Sequence, residues 1–212
     1  MTTLDIISDP ICPWCYIGKA KLDRALEAAP DHPFEIQWLP FQLNPDMPTE
    51  GMDRREYLEL KFGGRDGAER VYGEIAKAAE AAGLEIAFDK IKRTPNTLNA
   101  HRLIRWAGVE EKQTRVVSQL FKRYFLEGQD ISDHDVLVEV ATTVGMEGDL
   151  VHRLLEGDSD LAETIAEGKK AREMGVQGVP CFIVASSYAI RGAQQTETWA
   201  KIITEIVEKS KT

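Results

Sequence analysis

Strand-like segments are confined to the two ends of this chain, and that distribution constrains its fold more than any other feature. Residues 4–8 form a short apolar run centred on Ile6 and Ile7, closed by the Asp9-Pro10 turn signal. A helical pattern follows, with Leu22, Ala25, Leu26 and Ala29 on one face and Pro30 and Pro33 after it. Residues 34–39 place Phe34, Ile36 and Trp38 at alternating positions and read as a second strand. From residue 53 to residue 175 the pattern is mostly helical. Within it, Thr94-Pro95 predicts a helix start, with Thr94 as N-cap and Pro95 at the first helical position. Ser132 and Asp135 have capping-box spacing ahead of Val136, Leu137, Val140 and Ala141. Val116, Val117, Leu120, Phe121, Tyr124 and Phe125 form one wide apolar stripe. Strand character returns at residues 181–184, just after Gly178-Val179-Pro180, and again at 188–191, before Gly192. The last helix carries Trp199, Ile202, Ile203 and Ile206 on one face. This order predicts an α/β protein whose sheet domain is assembled from residues 1–44 and 161–212, with residues 45–160 inserted as a helical domain.

A chain of 212 residues that is 43% hydrophobic and 29% charged can bury a core without covalent staples. Its net charge of −9 speaks against a broad nucleic-acid-binding surface. No apolar stretch is long enough to cross a bilayer, and Met1 to Ile7 lacks the basic and apolar parts of a secretory signal. The expectation is a cytoplasmic protein with neither nucleic acid nor membrane as a partner. Structural disulfides are rare in that compartment, so a close cysteine pair points to redox or metal chemistry.

The cysteines are Cys12, Cys15 and Cys181. Cys12-Pro13-Trp14-Cys15 follows a strand and opens a helix, and each residue has a use there. The free N–H groups and positive end of the helix favour a thiolate at Cys12, and the thiolate is the nucleophile of disulfide exchange. Pro13 suits a first helical position, where its missing N–H costs nothing. Cys15 lies one turn on, within reach of a small disulfide ring. Cys12 would attack, in a position of easy solvent access, and Cys15 would resolve the mixed disulfide. The same spacing is half of a zinc site, but zinc needs a closed ligand set and no second such pair exists. Cys181 and His101 could in principle complete the set, but the redox reading needs no metal and no bound organic cofactor, because the redox equivalents reside in the Cys12–Cys15 pair.

Asp9-Pro10-Ile11-Cys12-Pro13-Trp14-Cys15-Tyr16-Ile17-Gly18, with Gly178-Val179-Pro180 far downstream, resembles the DsbA family of thioredoxin-fold proteins. Pro95-Asn96-Thr97, Ala100-His101-Arg102 and Gly192-Ala193-Gln194 resemble its FrnE-like branch. The resemblance covers essentially the whole chain. It implies a thioredoxin-like fold with a large inserted helical domain, and thiol–disulfide exchange with protein, peptide or small thiols, glutathione among them. It also implies a cis Val179–Pro180 bond beside the cysteines, with the Val179 backbone open to a substrate strand. Many thioredoxin-fold members carry a buried acid that takes the proton of the resolving cysteine. Here Ile6 and Ile7 fill the middle of the first strand; Asp5 and Asp9 are possible substitutes, but read better as strand-end and turn residues.

Other residues have two readings each. Asn96 and His101 could face the cleft as substrate contacts, or could hold the two parts of the chain together. Trp14 could touch substrate or cover the disulfide, and is expected to be more exposed than Trp38, Trp106 or Trp199. Cys181 reads as a small core hydrophobe rather than a third redox thiol. The apolar stripe could be internal core or could pair a homodimer, so both monomer and homodimer remain open. Two rival functions stay in view. One is a glutathione-dependent transferase or isomerase of the kappa type, whose members usually carry Ser at the position of Cys12. The other is a chaperone-like binding module whose cysteines only sense redox state.

Overall fold

The computed structural model describes residues 1–209. Strand β1 (Thr2–Ser8) lies at the centre of a four-stranded sheet with β2 (Phe34–Pro40), β5 (Cys181–Val184) and β6 (Tyr188–Arg191), in the order β2-β1-β5-β6. β1 pairs with β2 in parallel and with β5 antiparallel, so that Ile6 stands between Trp38 and Phe182. The two ends of the chain therefore share one sheet. Successive side chains of a strand point to opposite faces. Leu4 and Ile6 join a large core cluster, whereas Ile7 joins a smaller one with Phe41, Ala171, Val176, Cys181 and Ile183.

Helix α1 (Pro13–Glu27) connects β1 to β2, with Pro13 opening it and Cys12 at the N-cap. Helix α9 (Thr196–Lys209) packs beside α1, and its Trp199 meets the Phe182 ring edge-on at 4.8 Å. On the other side of the sheet, α8 (Leu161–Glu173) packs against β2.

Between β2 and α8 run α2 (Arg54–Phe62), α3 (Arg65–Ala81), α4 (Leu98–Val109), α5 (Gln113–Phe121), α6 (His134–Thr143) and α7 (Gly148–Glu156). The expected helix start at Thr94-Pro95 is displaced. Thr94 belongs to a short strand, β4 (Arg93–Thr94), which pairs with β3 (Met52–Asp53), so its backbone is extended. The helix begins only at Leu98, whose amide donates to the Asn96 side chain. The expected cap at Ser132 is displaced by one residue for a similar local reason. Ser132 donates its hydroxyl to Asp130, and Asp133 caps α6 by accepting from the Asp135 amide. The apolar stripe is internal. It spans α5 and a π-helical turn, Lys122–Leu126, and all six of its residues are buried. Among the described residues no helix is long and apolar enough to cross a membrane.

Candidate active site

Cys12 and Cys15 are free thiols at the start of α1. The first turn is built from backbone hydrogen bonds: the Cys12 amide donates to the Asp9 carbonyl at 2.9 Å, and the Cys15 and Tyr16 amides donate to the Cys12 carbonyl at 3.1 and 3.2 Å. Across the site, the cis Val179–Pro180 peptide brings the Val179 carbonyl to 3.6 Å from the Cys12 sulfur. Pro180 is seated by its neighbours. Its carbonyl accepts from the Gly192 amide at 2.8 Å, and its ring lies on Gly18, where an added Cβ would come within 3.1 Å of the Pro180 Cγ. The expectation of an open Cys12 is corrected: it is only 3% exposed, with its thiol turned onto the Val179 carbonyl. Trp14 is the accessible residue of the motif, at 38%, while the other three tryptophans are buried.

Cys15 lies deeper. Burial pushes its thiol well up, and the neighbouring Cys12 adds to this through a hydrogen bond and its charge. The Ser8 hydroxyl and the Asp9 backbone pull the other way by hydrogen bonding to its sulfur.

Asp9 is a turn residue, as its sequence context suggests, and it is also completely buried. One carboxylate oxygen accepts from the Leu43 amide at 2.6 Å, the other from the Ile11 amide at 3.4 Å, and Thr97 adds a side-chain hydrogen bond. Burial nonetheless raises its pKa to about 6. His101 comes from α4 to place Nε2 at 3.8 Å from the Asp9 Oδ1. It too is buried, and burial lowers its pKa to about 3, so the ring is neutral at ordinary pH. Asn96 is committed within the chain. Its amide donates to the Met47 carbonyl at 2.7 Å, and its oxygen accepts from Gln42 at 3.2 Å and from the Leu98 amide at 2.9 Å. Cys181 is buried beside Ile7 and Phe41, and burial raises its thiol pKa. Among the described residues no three His, Cys, Asp or Glu side chains are grouped to hold a metal ion.

Sequence reasoning missed a second polar cluster. Arg54 is only 8% exposed and donates to the Tyr124 and Tyr72 hydroxyls at 2.9 and 2.8 Å. Its guanidinium also lies over both rings. It borders a cleft of about 540 Å³ with Leu58, Tyr72, Phe88, Ile91 and Lys92. The charge of Cys12 opposes ionisation of Tyr72, so this cluster is within electrostatic range of the cysteines. No periodic signal marks Arg54 as inward-facing, because Arg54-Arg55-Glu56 reads as an ordinary solvated helix start.

Residues 3–204 match the family described as DSBA-like thioredoxin domain. The Bacillus subtilis protein YwbO is 27% identical over 207 residues, which cover 97% of this chain and 98% of that protein. Among solved structures, a probable DsbA oxidoreductase from Streptomyces coelicolor superposes with a TM-score of 0.85 at 26% identity, covering 97% of this chain and 89% of that one. The cytosolic disulfide reductase DsbM from Pseudomonas aeruginosa, determined with glutathione, has the same fold at 16% identity and a TM-score of 0.69, covering 97% and 99% of the two chains. With a family match that runs from the first strand into the last helix, the chain belongs to the DsbA-like thioredoxin-domain family.

Proposed function

We propose that the protein is a thiol–disulfide oxidoreductase, acting as a protein disulfide oxidoreductase or isomerase, that works through a mixed disulfide on Cys12. The observation that carries this reading is the meeting of three groups at one point: Cys12 at the N-terminus of α1, Cys15 one turn below it, and the Val179 carbonyl 3.6 Å from the Cys12 sulfur. In the reducing direction the Cys12 sulfur attacks a substrate disulfide. The S–S bond breaks, its electron pair leaves on the far sulfur, and a mixed disulfide forms. Cys15 then attacks the Cys12 sulfur, closing the internal disulfide and releasing the second substrate sulfur. The substrate gains two electrons and the protein loses two; the oxidising direction is the reverse. Val179 offers its backbone to an incoming extended peptide, and Pro13 and Trp14 line the approach. His101 and Asn96 support the site from behind rather than touching substrate, since their contacts are with Asp9, Phe41, Met47, Gln42 and Leu98.

The substrates are protein or peptide thiols and disulfides, with glutathione as a small partner and the cytoplasm as the setting. The Pseudomonas DsbM, which is described as cytosolic and was determined with glutathione, supports both points. The intact Cys pair speaks against the kappa-type transferase reading, in which no resolving thiol is needed. The test is a redox titration of the purified protein against glutathione buffers, followed by tryptophan fluorescence. One two-electron transition, absent from Cys12→Ser, is expected. A potential near about −270 mV would mark a reductase and one near about −120 mV an oxidant. A protein that shows no transition is not an exchange enzyme.

A further inference from the structure

Helices α2 and α3 and residues 88–92 line the cleft of about 540 Å³ that Arg54 borders. Gly63 and Gly64, at φ values of 74° and 104°, turn the chain sharply between the two helices, so that α3 returns beside α2. The opposite wall is tied to α2, because the Arg54 amide donates to the Lys92 carbonyl at 2.9 Å. Leu58, Ala68, Phe88 and Ile91 give the cleft an apolar lining, and Leu58 and Phe88 are only half-buried. Its volume lies within the range of small-molecule sites, about 300–1,000 Å³.

One charge in this cleft is left unanswered by the fold. A guanidinium has five N–H donors, and the buried Arg54 spends one on the Tyr124 hydroxyl and one on the Tyr72 hydroxyl. Burial raises the pKa of both phenols, so neither supplies a negative charge. Their ring faces, at 5.1 and 5.9 Å, stabilise a cation but do not neutralise it. Among the described residues Arg54 forms no ion pair, although several carboxylates border the same cleft. Those carboxylates have other work: Arg55 holds Glu59, Arg65 holds Glu69, and Asp53 caps α2 by accepting from the Glu56 amide. A buried charge is costly unless it is paired.

The guanidinium is also held in one orientation. Tyr124 reaches it from the π-helical turn and Tyr72 from α3, and Tyr72 is itself braced edge-on by Phe88 at 5.0 Å. A fixed planar fork suits a carboxylate or a phosphate. One guanidinium balances one negative charge, and the surface beside it is apolar. A monocarboxylate with an apolar body fits these terms, whereas a phosphate dianion would leave a charge unmatched.

We propose that this cleft binds a small monocarboxylic acid, with its carboxylate on Arg54 and its apolar body against Leu58, Ala68, Phe88 and Ile91. The site is separate from the exchange chemistry, since neither Cys12 and Cys15 nor Val179 and Pro180 line the cleft. The proposal therefore does not depend on the exchange reading.

The experiment titrates the whole native protein with 2-naphthoate and, separately, with its neutral counterpart 2-naphthamide, followed by two-dimensional NMR of the backbone amides and the arginine Nε–H groups. The naphthoate should saturate and shift the signals of Arg54, Leu58, Ala68 and Phe88. The amide should bind about tenfold to a hundredfold more weakly, the loss expected for a charge-assisted hydrogen bond to a buried cation. Equal affinities, shifts centred on Cys12 and Val179, or displacement of the naphthoate by S-methylglutathione would overturn the proposal. So would a naphthoate titration that does not saturate by about 10 mM. Arg54→Met should weaken naphthoate by the same factor and leave naphthamide within about twofold. Arg54 also braces two tyrosines, so a second substitution keeps it in place. Leu58→Glu sets a competing carboxylate in the cleft and should weaken naphthoate about tenfold or more, while Leu58→Gln stays within about threefold of the native affinity. Equal effects of the two substitutions would show that charge at Arg54 does not select the ligand, and the proposal would fall.

Discussion

Arg102 holds four acceptors with one side chain. Its guanidinium donates to the carbonyls of Ser159, Leu154 and Gly157 at 2.9, 2.7 and 2.6 Å, and to the Asn99 side chain at 2.9 Å. Two of those carbonyls are at the C-terminal end of α7, where a cation is favoured by the exposed carbonyls and by the helix dipole. The planar group also lies 5.0 Å from the centre of the Trp106 ring. Methionine would fill the volume and leave the carbonyls buried and unpaired, so Arg102→Met should lower the stability to urea by about 2–4 kcal/mol. Lysine has one ammonium where the site needs a fork, and should recover only part of that loss. At this scale the sequence was informative where chemistry and position coincide. Cys12, Cys15 and Val179 come together as their motif and the resemblance imply. It was silent where burial depends on a distant segment. Nothing near Arg54 or Arg102 marks either as turned inward, and Asp9 is buried because the chain at Leu43 and α4 at Thr97 and His101 close over an ordinary turn residue.

Between residues and the whole, the strands and helices fall where apolar periodicity places them, and the departures sit at their ends. Thr94 has the right neighbours for a helix cap, but pairing with Met52 takes its backbone first. Ser132 yields the cap to Asp133 because its hydroxyl is already engaged by Asp130. Such competition is decided by contacts a few residues or a whole segment away, which local spacing does not encode. The β5–β6 hairpin shows a sequence working against its own turn. Ala185 and Ser186 adopt φ values of 51° and 54°, and the Ser187 amide donates to the Val184 carbonyl at 3.1 Å. Val184 pairs with Tyr188, so the connecting loop is three residues long, and its first two positions, both left-handed, favour Asn and Gly and penalise Ala, whose Cβ crowds the carbonyl. Replacing Ala185 with Asn and Ser186 with Gly should stabilise the protein by about 1 kcal/mol. Thermal unfolding measures this as a rise of a few degrees; a fall would mean that the turn is held by contacts of Ala185 rather than tolerated.

For the whole molecule, the question is whether the inserted helices are a separate unit. Sequence order marks residues 45–160 as an insertion, yet order says nothing about how much core the insertion shares. The shared core is extensive. One continuous apolar cluster contains Leu4, Ile6 and Phe182 of the sheet, Leu22 of α1, and Leu103, Leu120 and Leu137 of the inserted helices. Tyr16, the residue after Cys15, stacks on Phe125 at 5.2 Å and leans on Phe121 at 5.4 Å, so the insertion packs directly against the active-site helix. The wide stripe of α5 and the π-helical turn is consumed by this contact, which removes it as a surface for a second copy of the chain. Two units that share a core of this kind should not unfold independently. Urea denaturation followed by tryptophan fluorescence and by far-ultraviolet circular dichroism should give one coincident transition. Phe125→Ala empties a fully buried site in the inserted part and should cost about 3–5 kcal/mol. If the core is continuous in energy as well as in contact, that loss appears equally in both signals, and the redox response of the cysteines weakens with it. Two separated transitions, with only the helical one moved by Phe125→Ala, would instead make the insertion an independent domain that merely rests on the active-site helix.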